Sequence, residues 1–130
     1  MTDEVARYCP YFGAAMETLS KRWAGQVLRA LVPGPMRFNA MASAIPSLTE
    51  STLSQRLKEL ESAGLVDRAV YCEHPVRVEY ALTDKGRALG DVLMQLNGWA
   101  LEWVTPTNET ADTAGDAPPR TSSSTGLVQP

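Results

Sequence analysis

Apolar residues return along the first hundred positions with two different periods. Over residues 9–19, Phe12, Ala15, Met16 and Leu19 recur at the three-to-four spacing of one helix face. Cys9 stands at the N-cap position and Pro10 at the first helical position, where a missing N–H is harmless. A second helix is predicted over about 21–32, with Trp23, Val27, Leu28 and Leu31 on one face. Pro33-Gly34-Pro35 ends it, because proline cannot donate to the helical ladder. A short third helix covers roughly 38–44, carrying Phe38 and Met41, and 45–48 makes a turn. The fourth helix has the sharpest limits. Thr49 is its N-cap and Glu50 suits the positive end of its dipole. Leu53, Leu57 and Leu60 form its inward stripe, and Gly64 fits a left-handed residue past its end.

The period then drops to two. Residues 65–71 read as a strand. After a turn at 72–75, Val76, Val78, Tyr80 and Leu82 alternate with Arg77, Glu79, Ala81 and Thr83, which makes a hairpin. Thr83 caps a long last helix, about 84–104, with Leu89, Val92, Leu93, Leu96, Trp99, Ala100 and Trp103 on its apolar face. Four helices, two strands and a helix give a mainly α, α+β class with a small β-hairpin. A short helix, a turn, a capped helix and a hairpin follow the plan of a winged helix-turn-helix. In that plan the second helix of the pair lies in the major groove, which is about 12 Å wide, and the hairpin lies beside it.

Composition changes this picture little. A chain of 130 residues with 44% hydrophobic and 21% charged positions suits one soluble globular domain. The net charge of −3 is unhelpful for DNA, whose phosphates call for Lys and Arg. Residues 21–87, however, hold ten Lys and Arg against seven Asp and Glu, a local excess of three. After Val104 the chain turns to Thr, Pro, Ser, Gly, Asp and Ala, so residues 1–104 are expected to form the domain and 105–130 a flexible low-complexity tail. The apolar runs are too short for a membrane span, and the first eight residues lack the apolar region of a secretory signal. A cytoplasmic location with Cys9 and Cys72 as thiols is expected.

Catalysis finds little to work with. His74 is the single histidine, and the chain lacks a phosphate-binding glycine loop, paired Cys/His ligand spacing and HExxH. Neither enzyme activity, a metal nor a cofactor is expected.

Ordered stretches of this chain resemble a known family. They are Cys9-Pro10, Lys21-Arg22-Trp23, Arg37-Phe38-Asn39, the run from Leu53 to Glu61, Gly64-Leu65-Val66, Pro75 with Val78-Glu79-Tyr80, and Leu82-Thr83-Asp84-Lys85-Gly86. Together they resemble the HxlR-type branch of the MarR-like winged-helix regulators, across about residues 9–103. The resemblance implies a homodimeric transcription regulator of double-stranded DNA whose fourth helix recognises DNA. It also implies that the terminal helices pack against a partner's, and that a cysteine near the first helix senses oxidants or electrophiles.

The residues allow a DNA face to be drawn. With the leucine stripe inward, Ser51, Thr52, Ser54, Gln55 and Lys58 face outward on the fourth helix. Gln55 can pair with adenine, Ser and Thr with bases or phosphates, and Arg56 and Lys58 suit phosphates. Thr49, Arg37 and Asn39 lie at the ends of the helix pair and join this set. On the hairpin, Arg77 just past the turn and Arg68 on the first strand are candidates for phosphate or minor-groove contact. The plainer readings are a solvated helix face, charges that blunt an exposed strand edge, and for Arg37 a salt bridge.

Two other features stay open. A thiol at a helix N-terminus meets unpaired N–H groups that favour thiolate, yet cysteine is also among the most buried residue types, so Cys9 reads either as a sensor or as an inert core residue. Trp99 and Trp103 are more than so small a core would hold. Phe12, Met16 and Leu19 with Leu89, Val92, Leu93, Leu96, Trp99 and Trp103 therefore read as a dimer seam, against the alternative of intramolecular packing. A protein-interaction module without DNA and a Cys9-dependent thiol enzyme are the competing functions, and any small-molecule or electrophile effector is left unassigned.

Overall fold

The computed structural model describes residues 6–106. The elements run α1 (Pro10–Ser20), α2 (Ala24–Ala30), β1 (Met36–Arg37), α3 (Phe38–Ala44), α4 (Glu50–Ser62), β2 (Val66–Tyr71), β3 (Arg77–Leu82) and α5 (Asp84–Trp103). The expected tail from 107 onward lies outside the described residues.

Local chemistry sets most helix ends. Three of them start on a side-chain cap. Cys9 Sγ accepts from the Phe12 N–H at 3.4 Å, Thr49 Oγ1 from Thr52 N–H at 3.2 Å, and Thr83 Oγ1 from Gly86 N–H at 3.0 Å. At the far end of α4, Gly64 takes φ 78° and Lys85 Nζ donates to the Ala63 carbonyl at 2.6 Å. Gly86 has a different reason to be glycine. A Cβ there would stand 2.1 Å from the Leu65 carbonyl oxygen, so only a bare Cα lets α5 pass so close to the start of β2.

The second helix is shorter than its periodicity predicts. Trp23 adopts φ 77°, which separates α2 from α1, and its ring instead packs beside the core. The sheet also has a strand more than predicted. The order is β1-β3-β2, all antiparallel, with Met36 opposite Tyr80 and Arg37 opposite Glu79. Two residues are too short to show a period, so β1 has no signature in the pattern. The hairpin register is regular, from Val66 opposite Leu82 to Tyr71 opposite Arg77.

The core gathers one face of each inner element. Val27 and Leu28 of α2, Met41 of α3, Leu53, Leu57 and Leu60 of α4, Val66 of β2 and Leu82 of β3 are buried together. On α5 only Gly86, Gly90 and Leu93 are buried, and α1 buries nothing. Leu93 therefore belongs to the chain's own core, and Leu19 and Leu89 pack against it, rather than standing outward as the seam drawn from the sequence has them. The burial of Leu93 and the partial cover of Leu19 and Leu89 follow from α2 lying directly against α5 and α1. Among the described residues no helix is long and apolar enough to cross a membrane.

Candidate nucleic-acid interface

The site is built on α3, the turn after it, α4 and the β2–β3 hairpin. Ile45 and Leu48 anchor the turn in the core, and Ser47 takes φ 69° between them. This sets the N-terminus of α4 outward. With Leu53, Leu57 and Leu60 fully inward, Ser51, Ser54, Gln55 and Lys58 are exposed and Thr52 is half-buried. Thr49 is exposed, but its hydroxyl is committed: it caps the helix and lies 3.0 Å from Thr52 Oγ1, to which it donates.

Two arginines are placed differently from an outward cation. Arg56 turns inward along α4. Its Nε donates to the Arg22 carbonyl at 2.8 Å, and its Nη1 pairs with Glu59 Oε1 at 2.8 Å. Its charge is matched, so it supports the helix rather than reaching for phosphate. Arg77 is tied down on the wing. It pairs with Glu73 at 3.2 Å and Glu79 at 3.4 Å, and its guanidinium lies 4.3 Å from the Tyr71 ring centre. Register explains this: Tyr71 sits directly opposite Arg77, and Glu79 is two residues along on the same face.

The remaining cations stay outward. Arg37 at the start of α3, Lys58 on α4 and Arg68 on β2 are exposed, and none has an acidic partner among the described residues. Asn39 is exposed on the first turn of α3, and His74 is exposed in the hairpin turn.

Outward position alone does not single out Glu59, yet it organises the middle of α4. Gln55 Nε2 donates to Glu59 Oε2 at 2.8 Å, while Arg56 holds the other oxygen. The Gln55 amide does most to keep the Glu59 carboxyl below its ordinary range; loss of solvent opposes it, and the Arg56 guanidinium adds to the lowering. The i, i+4 and i, i+3 spacings of Gln55 and Arg56 to Glu59 are the signal that locates this network in a sequence.

Away from this face, Cys9 is exposed in the single chain at the start of α1. Large apolar side chains are also exposed on both terminal helices: Tyr11, Phe12 and Met16 of α1, and Val92, Leu96, Trp99 and Trp103 of α5. Both tryptophans are more than half exposed in the single chain, at 56% and 55%. So many large apolar side chains left uncovered on two helices are unusual for a lone soluble chain.

A helix pair with a polar outer face, flanked by a three-stranded wing, defines a winged helix-turn-helix DNA-binding protein. The particular family follows from comparison. Residues 18–108 match the HxlR-like helix-turn-helix family, and the chain belongs to it. The HTH-type transcriptional regulator YvaP of Bacillus subtilis is 48% identical over 98 residues, which is 75% of this chain and 91% of YvaP. The reduced form of the transcriptional regulator YodB from B. subtilis superposes with a TM-score of 0.67 at 40% identity, covering 78% of this chain and 99% of that one. YodB is also solved diamide-treated and quinone-bound, with TM-scores of 0.63 and 0.62. The redox regulator HypR in its oxidised form gives 0.66 at 35% identity, covering 71% of this chain and 94% of HypR. This chain is a DNA-binding transcription regulator of the HxlR type.

Proposed function

We propose that two copies of the chain dimerise through α1 and α5 and read a near-palindromic operator, with the domain extending through residue 104. In this reading the two α4 helices enter successive major grooves roughly 34 Å apart. Ser51, Thr52, Ser54 and Gln55 meet base edges or nearby phosphates. Arg37, Asn39, Lys58 and Arg68 hold the backbone. The observation that carries this reading is the outer face of α4, uniformly polar beside a wing whose Arg68 is exposed with no acidic partner among the described residues. The protein acts in the cytoplasm as a regulator rather than an enzyme.

Regulation falls to Cys9. Its thiol caps α1, is exposed, and starts the helix whose exposed Tyr11, Phe12 and Met16 the dimer would cover. Oxidation or alkylation there alters the cap acceptor and adds bulk at the seam, which changes the spacing of the two α4 helices. A change of ~1.4 kcal/mol alters affinity tenfold. The solved states of YodB and HypR support this assignment, since reduction, diamide, quinone and oxidation are the variables in their descriptions.

The test is DNA selection with purified protein under reducing conditions and after diamide, with Cys9→Ser alongside. The expected result is one near-palindrome, lost or altered on oxidation only when Cys9 is present. Selection that ignores diamide would remove the thiol switch and keep the regulator.

A further inference from the structure

We propose that Glu59 fixes which way the Gln55 amide faces DNA, and so makes Gln55 a reader of amino bases, adenine foremost, against keto bases. The inference rests on the reading of α4 as the helix that enters the major groove.

Donor and acceptor sense fixes the orientation. Gln55 Nε2 lies 2.8 Å from Glu59 Oε2. A carboxylate only accepts hydrogen bonds, so the amide nitrogen must face it and the amide oxygen must face away. Glu59 is itself held. Its other oxygen takes Arg56 Nη1 at 2.8 Å, and Arg56 Nε donates to the Arg22 backbone carbonyl at 2.8 Å. Guanidinium only donates and carboxylate only accepts, so the chain from the Arg22 carbonyl to Gln55 has a single sense. Nothing in it can reverse without breaking a charged hydrogen bond.

What Gln55 has left is its Oε1 and one N–H. In the major groove adenine offers the N6 amine beside the N7 acceptor, and cytosine offers the N4 amine. Guanine offers two acceptors, and thymine one acceptor and a methyl group. An oxygen with one adjacent N–H complements adenine at both atoms and cytosine at one. It meets guanine with an acceptor facing an acceptor. A bidentate pair of this kind discriminates by roughly tenfold or more. Glu59 touches no base in this scheme. It is a positioning residue.

The experiment is base-resolved selection from random duplexes with the full chain and with Gln55→Ala, Glu59→Ala and Glu59→Gln, together with the salt dependence of binding. Gln55→Ala should flatten one position in each half-site that the parent fills with adenine. Glu59→Ala should relax the same position toward parity, by about tenfold. Glu59→Gln should shift it toward guanine or thymine. There Arg56 claims the new amide oxygen, the new amide nitrogen faces residue 55, and Gln55 turns its oxygen inward and its amine outward. The salt slope should be unchanged for Gln55→Ala, because no charge and no phosphate contact is lost. If Gln55→Ala flattens a position while both Glu59 variants keep the parent preference, the positioning role is overturned and Gln55 stays a reader. Glu59 variants that weaken all sequences alike would overturn it too. If Gln55→Ala changes no position of a selected operator, Gln55 reads no base and the inference falls with it. If the parent selects nothing, the DNA reading of α4 fails first.

Discussion

Helices α4 and α5 begin in the same way and end up with opposite surfaces. Each starts on a threonine cap followed by an acidic residue, Thr49-Glu50 and Thr83-Asp84. Each carries an apolar stripe at helical spacing. On α4 that stripe is used up inside the chain, with Leu53, Leu57 and Leu60 no more than 2% exposed. On α5 the core takes only two glycines and Leu93, and Val92, Leu96, Trp99 and Trp103 are left in the open. Amphipathicity alone therefore does not say what a helix is for. Whether the chain itself supplies the cover decides it: α4 is left with a polar outer face, and α5 with an apolar one.

The largest expected effect lies on the covered side. Leu57→Ala removes a side chain 1% exposed at the centre of the core, and should lower unfolding free energy by about 2–5 kcal/mol in denaturant titration. A smaller loss, with an unchanged m-value, would mean that α4 is less dependent on its stripe than the burial indicates.

Trp99→Ala tests the open side. It should leave the single-chain fold in place while weakening self-association by roughly 30-fold or more, the usual cost of truncating a central aromatic anchor. Sedimentation across a dilution series reads this directly. An unmoved dimer constant would place the interface elsewhere and leave the exposed face of α5 without a partner.

How much of the fold is legible in the sequence follows the range of the interactions. The cap and stripe of α4, the hairpin and Gly64 are decided within a few residues, so the periodicity of Leu53, Leu57 and Leu60 and the alternation from Val76 to Leu82 reveal them. The division of the last helix between core and open face is not local. Leu89 and Leu93 share one apolar stripe with Leu96 and Trp99, and only the position of α2 decides which of them is covered. Trp23 reads as a helix-face residue but takes a left-handed backbone, because its place beside the core outweighs its local preference. The DNA face is legible as a set of outward positions. The inward turn of Arg56 and the clamping of Arg77 are not, since each depends on a partner's rotamer as well as on spacing.

The two threonine caps sharpen the comparison at a smaller scale. Thr49→Ala should cost about 1 kcal/mol, the ordinary value for losing an N-cap. Thr83 has a second bond, donating to the Gly64 carbonyl at 2.6 Å, and so ties the start of α5 to the end of α4. Thr83→Ala should cost more than Thr49→Ala by about another 1 kcal/mol. Equal losses in thermal unfolding would mean that the Gly64 carbonyl finds water instead.

The smallest effect separates two arginines on one hairpin. Both stand on the wing beside α4, and sequence alone favours Arg77, nearer the tip. Arg77 is already matched by Glu73 and Glu79 and stacked on Tyr71, whereas Arg68 is exposed with no acidic partner among the described residues. Releasing Arg77 to a phosphate would leave two carboxylates beside the DNA backbone, which costs what the new contact brings. Arg68 has no such bond to give up among the described residues. Arg68→Ala should therefore reduce the salt slope of DNA binding by about one unit and weaken all sequences alike. Arg77→Ala should change the slope by less and act through the order of the wing. If Arg77→Ala gives the full unit and Arg68→Ala none, the ion pairs on the wing exchange for phosphate on binding, and the clamp belongs to the unbound state.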